Sequence, residues 1–203
     1  WYWATESLPP LNWTPTVSSD ADMQMLMVGT GPADNVESCA LFFESLIHQA
    51  RERLWIVSPY FVPDVAIIHA LQLAAMRGVD VRIMLPELAD KHSIKLSSFT
   101  AIRETLPQGV QFYYYQRGFL HQKVLLVDDD IASVGTANLD NRSFRLNFEI
   151  SAVIYDQDFA QELADMLQQD FQFCRQQLPA EVVKWSLLRR LLSRCAYLFA
   201  PLQ

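Results

Sequence analysis

Between Met23 and Gln116 the sequence changes period again and again, from short apolar runs to stretches with apolar residues at helical spacing. "MQMLMVGTGP" reads as a buried strand that ends at a Gly-x-Gly-Pro turn. "DNVESCALFFESLIHQARERL" follows as a helix, with Asp34 or Asn35 as its cap. "LWIVSPYF" is a strand, and "VPDVAIIHALQLAAMRG" a helix stopped by Gly78. "VDVRIMLP" is another strand. "HSIKLSSFTAIRETL" is a helix closed by Pro107 and Gly109, and "VQFYYYQ" a strand with alternating burial. This order predicts an α/β layer whose first part is a largely parallel sheet. Ligands of such sheets favour the loops at the carboxyl ends of the strands, which puts "SPYFVPD" and "LPELADKHS" on the rim.

The rhythm breaks after Phe119. "HQKVLLV" and "IASVGTA" are strands joined by "DDD" alone, so they form a hairpin. "FEISAVIYD" adds a strand and "DFAQELADMLQQDFQFCR" an amphipathic helix, which makes the whole a mixed β-sheet flanked by helices. Side chains alternate along a strand, so His121, Lys123, Leu125 and Val127 share a face. With the three aspartates as the loop, Val127 pairs with Ile131 and Lys123 with Gly135, and His121 lies near Ala137. Thr136 and Asn138 therefore return beside the His–Lys pair. An imidazole, an ammonium, a hydroxyl and an amide gathered in this way suit a phosphodiester. The His can attack phosphorus or protonate a leaving alkoxide, while Lys and Asn hold the equatorial oxygens. Gly135 allows backbone or ligand to come close. No metal is required. Asp128, Asp129 and Asp130 read as a polar hairpin turn, because an oxygen cage for calcium needs more ligands than three adjacent carboxylates supply.

The pattern His121-x-Lys123-x-x-x-x-Asp128, followed by Gly135-Thr136-x-Asn138, resembles the signature of the phospholipase D superfamily. "SPYFVPD", "GFLHQKVLLVDDD", "NLDNRSF" and "LNFE" look like its bacterial cardiolipin synthase branch. The resemblance covers residues 25 to 175 and, more weakly, the tail. It implies a site built from two such motifs that meet across a pseudo-twofold axis. One His becomes a phosphohistidine, and the other serves as general acid and then base. His121, Lys123 and Asp128 form the catalytic signature, with Lys123, Thr136 and Asn138 on the phosphate. Glu149 matches the carboxylate that fixes the imidazole tautomer. Strand parity turns Asp128 away from His121 and gives it a supporting, structural role. Arg142 matches a position near the site. No second His-x-Lys exists, for the other histidines continue as His48-Gln, His69-Ala and His92-Ser. The chain thus reads as the C-terminal half of a two-half site, with His121 the acid/base. His48 and His69 are helix-surface or packing residues, whereas His92 lies near the rim.

A net charge of −7 gives no broad footprint for nucleic acid, and no nucleic-acid partner is expected. Cys39, Cys174 and Cys195 form no C-x-x-C pair; all three read as buried free thiols. "WYWATESLPP" opens the chain like the tail of an earlier element. Residues 1–22 read as a linker from a missing N-terminal half, 23–178 as the catalytic domain, and 179–203 as an amphipathic tail. No apolar run approaches the roughly 20 residues of a membrane span, so any anchor is expected upstream. In the tail, Trp185, Leu188, Leu192, Ala196 and Phe199 form a helical stripe with Arg189, Arg190 and Arg194 opposite. That pattern suits either a membrane interface or packing on the absent half.

The implied reaction joins two phosphatidylglycerol molecules into cardiolipin and glycerol, without a cofactor. Phosphatidylglycerol, the membrane surface and the missing half or a second subunit are the expected partners. The expected place is the inner membrane of a bacterium, peripheral and cytoplasmic, to which the free cysteines add a little. Two alternatives stay open: a homodimeric phosphodiesterase of the same fold acting on nucleic acid, and a non-catalytic lipid-binding module.

Overall fold

The computed structural model describes residues 5–12, 14, 23–88 and 92–202, with the backbone alone at His92 and Val183. Most of the expected linker and the side chain of His92 lie outside the described residues. The elements follow the order read from the sequence. Strand β1 (Gln24–Thr30) leads to α1 (Ser38–Gln49), β2 (Arg53–Val57), the two-residue β3 (Phe61–Val62) and α2 (Val65–Met76). Next come β4 (Asp80–Pro86), α3 (His92–Thr105) and β5 (Gln111–Tyr115). The hairpin is β6 (Val124–Val127) and β7 (Ile131–Gly135). It is followed by β8 (Leu139–Asp140), α4 (Asn141–Arg145), β9 (Glu149–Tyr155) and α5 (Gln157–Phe171). A short β10 (Cys174–Gln176), α6 (Pro179–Val183) and α7 (Leu187–Tyr197) end the chain.

The local signals have clear physical causes. Asp64 caps α2 by accepting from the Ile67 N–H at 2.9 Å. Gly78, at φ +92°, adopts the left-handed turn that ends the helix where a side chain would be strained. In β5, Phe112 and Tyr114 are buried between partly exposed neighbours, as the alternation predicted.

The sheet order is β1-β9-β7-β6-β2-β4-β5-β10. Parallel pairing joins β2 to β4 and β4 to β5, and every other pair in this sheet is antiparallel. The expectation of a largely parallel first part therefore holds for three strands. β1 runs in the same direction as β2, but the hairpin and β9 are threaded between them. This insertion also corrects the reading of β1 as buried. It lies at the sheet edge, with Met25, Leu26 and Met27 each more than half exposed.

One core layer packs α1, α2 and α3 against the sheet through Ile47, Leu54, Ile83, Phe112 and Leu125. The other packs α5 on the opposite face through Trp55, Leu126, Leu163 and Leu167. Each such side chain stabilises the fold by about 1.5–3 kcal/mol relative to exposure. Both layers leave one rim open, where β1, β2, β4, β5 and β7 end and β6 and β9 begin.

The cysteines divide in a way the sequence did not show. Cys39 is buried, Cys174 half-buried and Cys195 exposed. Burial pushes the Cys39 thiol up to about 11 and the Cys174 thiol up to about 12. A thiol-alkylating reagent near pH 8 is therefore expected to modify Cys195 first, and the other two only on unfolding. Peptide mapping of the modified chain checks this.

Candidate active site

The hairpin holds the predicted register. Val127 faces Ile131 and Val124 faces Val134, and the Gly135 N–H donates to the Lys123 carbonyl at 3.1 Å. His121 and Lys123 thus sit just before β6, on the open rim. The imidazole is exposed and stacks on Phe119, with ring centroids 5.3 Å apart. Lys123 is partly buried, and its Nζ donates to the His121 carbonyl at 2.8 Å, which ties the two residues together. Burial lowers the Lys123 ammonium from the usual lysine value, while the charges of Glu149 and Asp140 pull the other way. An ammonium near two carboxylates on a half-buried rim is a ready point charge for a phosphoryl group.

Glu149 opens β9 beside this pair. Its carboxylate accepts from the Thr136 hydroxyl and, at 3.1 Å, from the Asn147 side-chain amide. The Thr136 hydroxyl also accepts from the Ile150 N–H at 3.0 Å, so β7 and β9 are joined at the site. Arg142 reaches Asn147 at 3.3 Å, which makes it the outer end of a chain that leads to Glu149. Asn138 is held by its own backbone, whose N–H donates to the Ser143 hydroxyl at 3.0 Å. Its amide oxygen is buried and has no partner among the described residues.

Three positioning residues escaped the sequence reading. Asp140 is buried and caps α4 by accepting from the Ser143 N–H at 2.7 Å. Burial raises the Asp140 carboxyl, against the hydrogen bonds from the Ser143 N–H and hydroxyl. The Ser143 hydroxyl in turn receives the Asn138 N–H, so this cap sets the Asn138 backbone. Ser58, after β2, receives the Leu139 N–H at 3.1 Å and donates to the Tyr60 carbonyl at 2.7 Å. β3 and β8 then pair in parallel, and the Asn141 amide donates to the Val62 carbonyl at 2.8 Å. "SPYFVPD" and "NLDNRS" therefore form one interlocked corner of the rim. The Asp140-x-x-Ser143 spacing is an N-cap pattern from which Asp140 could have been found.

Asp128 is not part of this cluster. It lies at the other end of β6, at φ 49°, and its carboxylate accepts from the N–H groups of Arg51, Glu52 and Arg53. The Arg53 side chain returns to the Asp128 carbonyl at 2.7 Å and pairs with Asp129 at 2.7 Å. His48 and His69 lie exposed on α1 and α2. His92 opens α3.

Gly135 has a definite steric reason. A Cβ there would stand 2.5 Å from the Ile150 carbonyl oxygen and from Ser151 Oγ. The close approach is to the β9 backbone, one of the two possibilities read from sequence. Gly135→Ala is expected to cost about 1–3 kcal/mol, read as a lower urea midpoint with an unchanged slope.

The fold and this rim are those of a phospholipase D-like unit. The solved structure of Nuc, a phospholipase D family member from Salmonella typhimurium, aligns with a TM-score of 0.66 at 21% identity. The alignment covers 77% of this chain and 99% of that one. Phosphatidylserine synthase of Haemophilus influenzae aligns with a TM-score of 0.67 at 20% identity, over 92% of this chain and 49% of its own. The family described as "Cardiolipin synthase, PLD-like domain" matches residues 43–171, and the chain belongs to it. Cardiolipin synthase A of Pseudomonas putida strain W619 is 46% identical over 202 residues, which is 100% of this chain and 42% of that protein. The chain thus spans less than half the length of the curated relatives it matches.

Proposed function

We propose that the chain is the C-terminal catalytic half of a cardiolipin synthase-type phosphatidyltransferase. The observation that carries this is the likeness of the whole chain to 42% of cardiolipin synthase A, taken with His121, Lys123, Thr136, Asn138 and Glu149 on one open rim. In the first step an imidazole of the other half attacks the phosphorus of phosphatidylglycerol. A phosphorus–nitrogen bond forms, the phosphorus–oxygen bond to glycerol breaks, and His121 gives its proton to the departing alkoxide. In the second step neutral His121 takes the proton from the hydroxyl of another phosphatidylglycerol. That oxygen displaces the imidazole, and cardiolipin leaves. Lys123, Thr136 and Asn138 hold the non-bridging oxygens as charge shifts. The Glu149 carboxylate keeps lone pairs beyond its two bonds to Thr136 and Asn147, enough to orient an imidazole N–H.

The substrate is a lipid, and the chain works as a peripheral domain at a bacterial inner membrane, on the cytoplasmic side. No helix among the described residues is long and apolar enough to cross a membrane. The amphipathic α7 belongs to this reading as the membrane-facing element.

The test unites this chain with an upstream half bearing a second His-x-Lys motif and supplies labelled phosphatidylglycerol. Cardiolipin and glycerol are expected in equal amounts. Phosphatidic acid without cardiolipin would reject the transferase and leave a hydrolase. A second reading is favoured by Nuc, whose whole chain corresponds to this one unit. On that reading two copies of this chain complete a phosphodiesterase for nucleic acid. A dimer on sizing, with nuclease activity from the chain alone, would select it.

A further inference from the structure

The tail helix docks on α3 by its polar side and not by its leucine stripe. Ser193, on the polar side of α7, is buried; its hydroxyl lies 2.9 Å from the Thr100 hydroxyl and 2.8 Å from the Leu96 carbonyl on α3. Arg189 spreads over the rings of Phe99 and Trp185, with its guanidinium carbon 4.1 and 4.5 Å from their centroids. Trp185 is buried against Phe99, so it is no interfacial anchor. With this side turned inward, Leu187, Leu188, Leu191, Leu192, Leu198 and Phe199 face outward, between 48% and 81% exposed. Helical spacing puts the exposed Cys195 in the same stripe, four residues after Leu191.

Beside the stripe, between α3 and α7, a cleft of about 270 Å³ is lined by Arg103, Leu187, Arg190, Leu191 and Arg194. The exposed Arg103 and Arg194 border it, with no carboxylate among the described lining residues, in a chain whose net charge is −7. Guanidinium groups bind phosphate oxygens with planar, paired hydrogen bonds. The adjoining leucines offer acyl chains an apolar surface at the same depth.

We propose that this cleft binds the headgroup phosphate of an anionic phospholipid while the leucine stripe of α7 enters the leaflet. The charge of the cleft selects the occupant: a protein surface would cover the leucines equally well, but a leaflet of anionic lipid matches both parts. The phosphate bound there is a docking site, separate from the reacting phosphate at His121. The inference rests on the phosphatidyltransferase reading only for a bilayer close at hand. Vesicle binding needs no turnover, so the two fail separately.

The test puts an environment-sensitive dye on Cys195 of the full chain, in a Cys174→Ser background. Vesicles of phosphatidylcholine alone are compared with vesicles that also contain phosphatidylglycerol. Co-sedimentation and a blue shift are expected with the anionic vesicles only. R103Q/R194Q and, separately, L187S/L191S should each weaken binding about tenfold. All four positions are exposed, so folding is retained, and circular dichroism confirms it. Equal binding to neutral vesicles, or no effect of R103Q/R194Q, overturns the proposal. So does displacement by millimolar inorganic phosphate without any dependence on the leucines, which marks a free-anion site. In the enzyme with its upstream half, a dye shielded from a soluble quencher without lipid shows that protein covers this face, and also overturns it.

Discussion

His121→Ala, tested in the proposed two-half phosphatidyltransferase, is expected to lower phosphatidylglycerol turnover by about 10³- to 10⁴-fold. The size follows from what the imidazole has to do. A glycerol alkoxide leaving phosphorus is a strong base, and its departure without a proton is slow. The same nitrogen must then accept a proton from the incoming hydroxyl, so both steps suffer. On the proposed reading Lys123 does not substitute, because its ammonium, which donates to the His121 carbonyl, is assigned to the phosphate. The loss should fall on kcat with KM little changed, since the exposed ring adds little to ground-state binding. Near-normal turnover by His121→Ala would refute the assignment.

The second large effect is one of stability. Asp128→Ala removes a carboxylate that accepts from three successive N–H groups, those of Arg51, Glu52 and Arg53. It also places alanine at φ 49°, a conformation that costs an ordinary residue about 1–2 kcal/mol. A charged acceptor contributes more per bond than a neutral one, but part of this turn is open to water, which replaces some of the loss. The expected total is about 2–4 kcal/mol, measured by urea unfolding. Asn tolerates the left-handed region and keeps one acceptor, so Asp128→Asn should lose about half as much. Activity per folded molecule should remain, because Asp128 lies at the far end of β6 from His121. A variant that keeps full stability but loses turnover would return Asp128 to the chemistry.

The contrast between these two residues bears on what a sequence discloses. The hairpin was legible because strand parity and a three-residue turn permit one register, and the pairing of Val127 with Ile131 follows. The same parity separated Asp128 from His121, although both belong to one signature. Sheet order was not legible. Nothing local in "MQMLMVGTGP" says that β9 will take the place beside it, since an apolar run reads alike at an edge or a centre. The corner formed by Ser58, Asp140 and Ser143 was missed for a related reason. It is built from hydrogen bonds between loops about 80 residues apart, and only the Asp140 cap leaves a local trace. In the tail, amphipathicity was plain, but the burial of Trp185, read as part of the apolar stripe, was not. Aromatic rings of Phe99 and Trp185 that accept Arg189 reverse the face a helical wheel would bury.

One measurement addresses the acid/base role most directly. A phosphatidyl ester of p-nitrophenol has a leaving group that needs no proton, so the first step should survive in His121→Ala. A burst of about one equivalent of nitrophenolate per site is expected, followed by a stall with the phosphatidyl group held on the other half. Continued turnover at the normal rate, or the loss of the burst while the wild-type enzyme shows one, would contradict a proton-transfer role for His121.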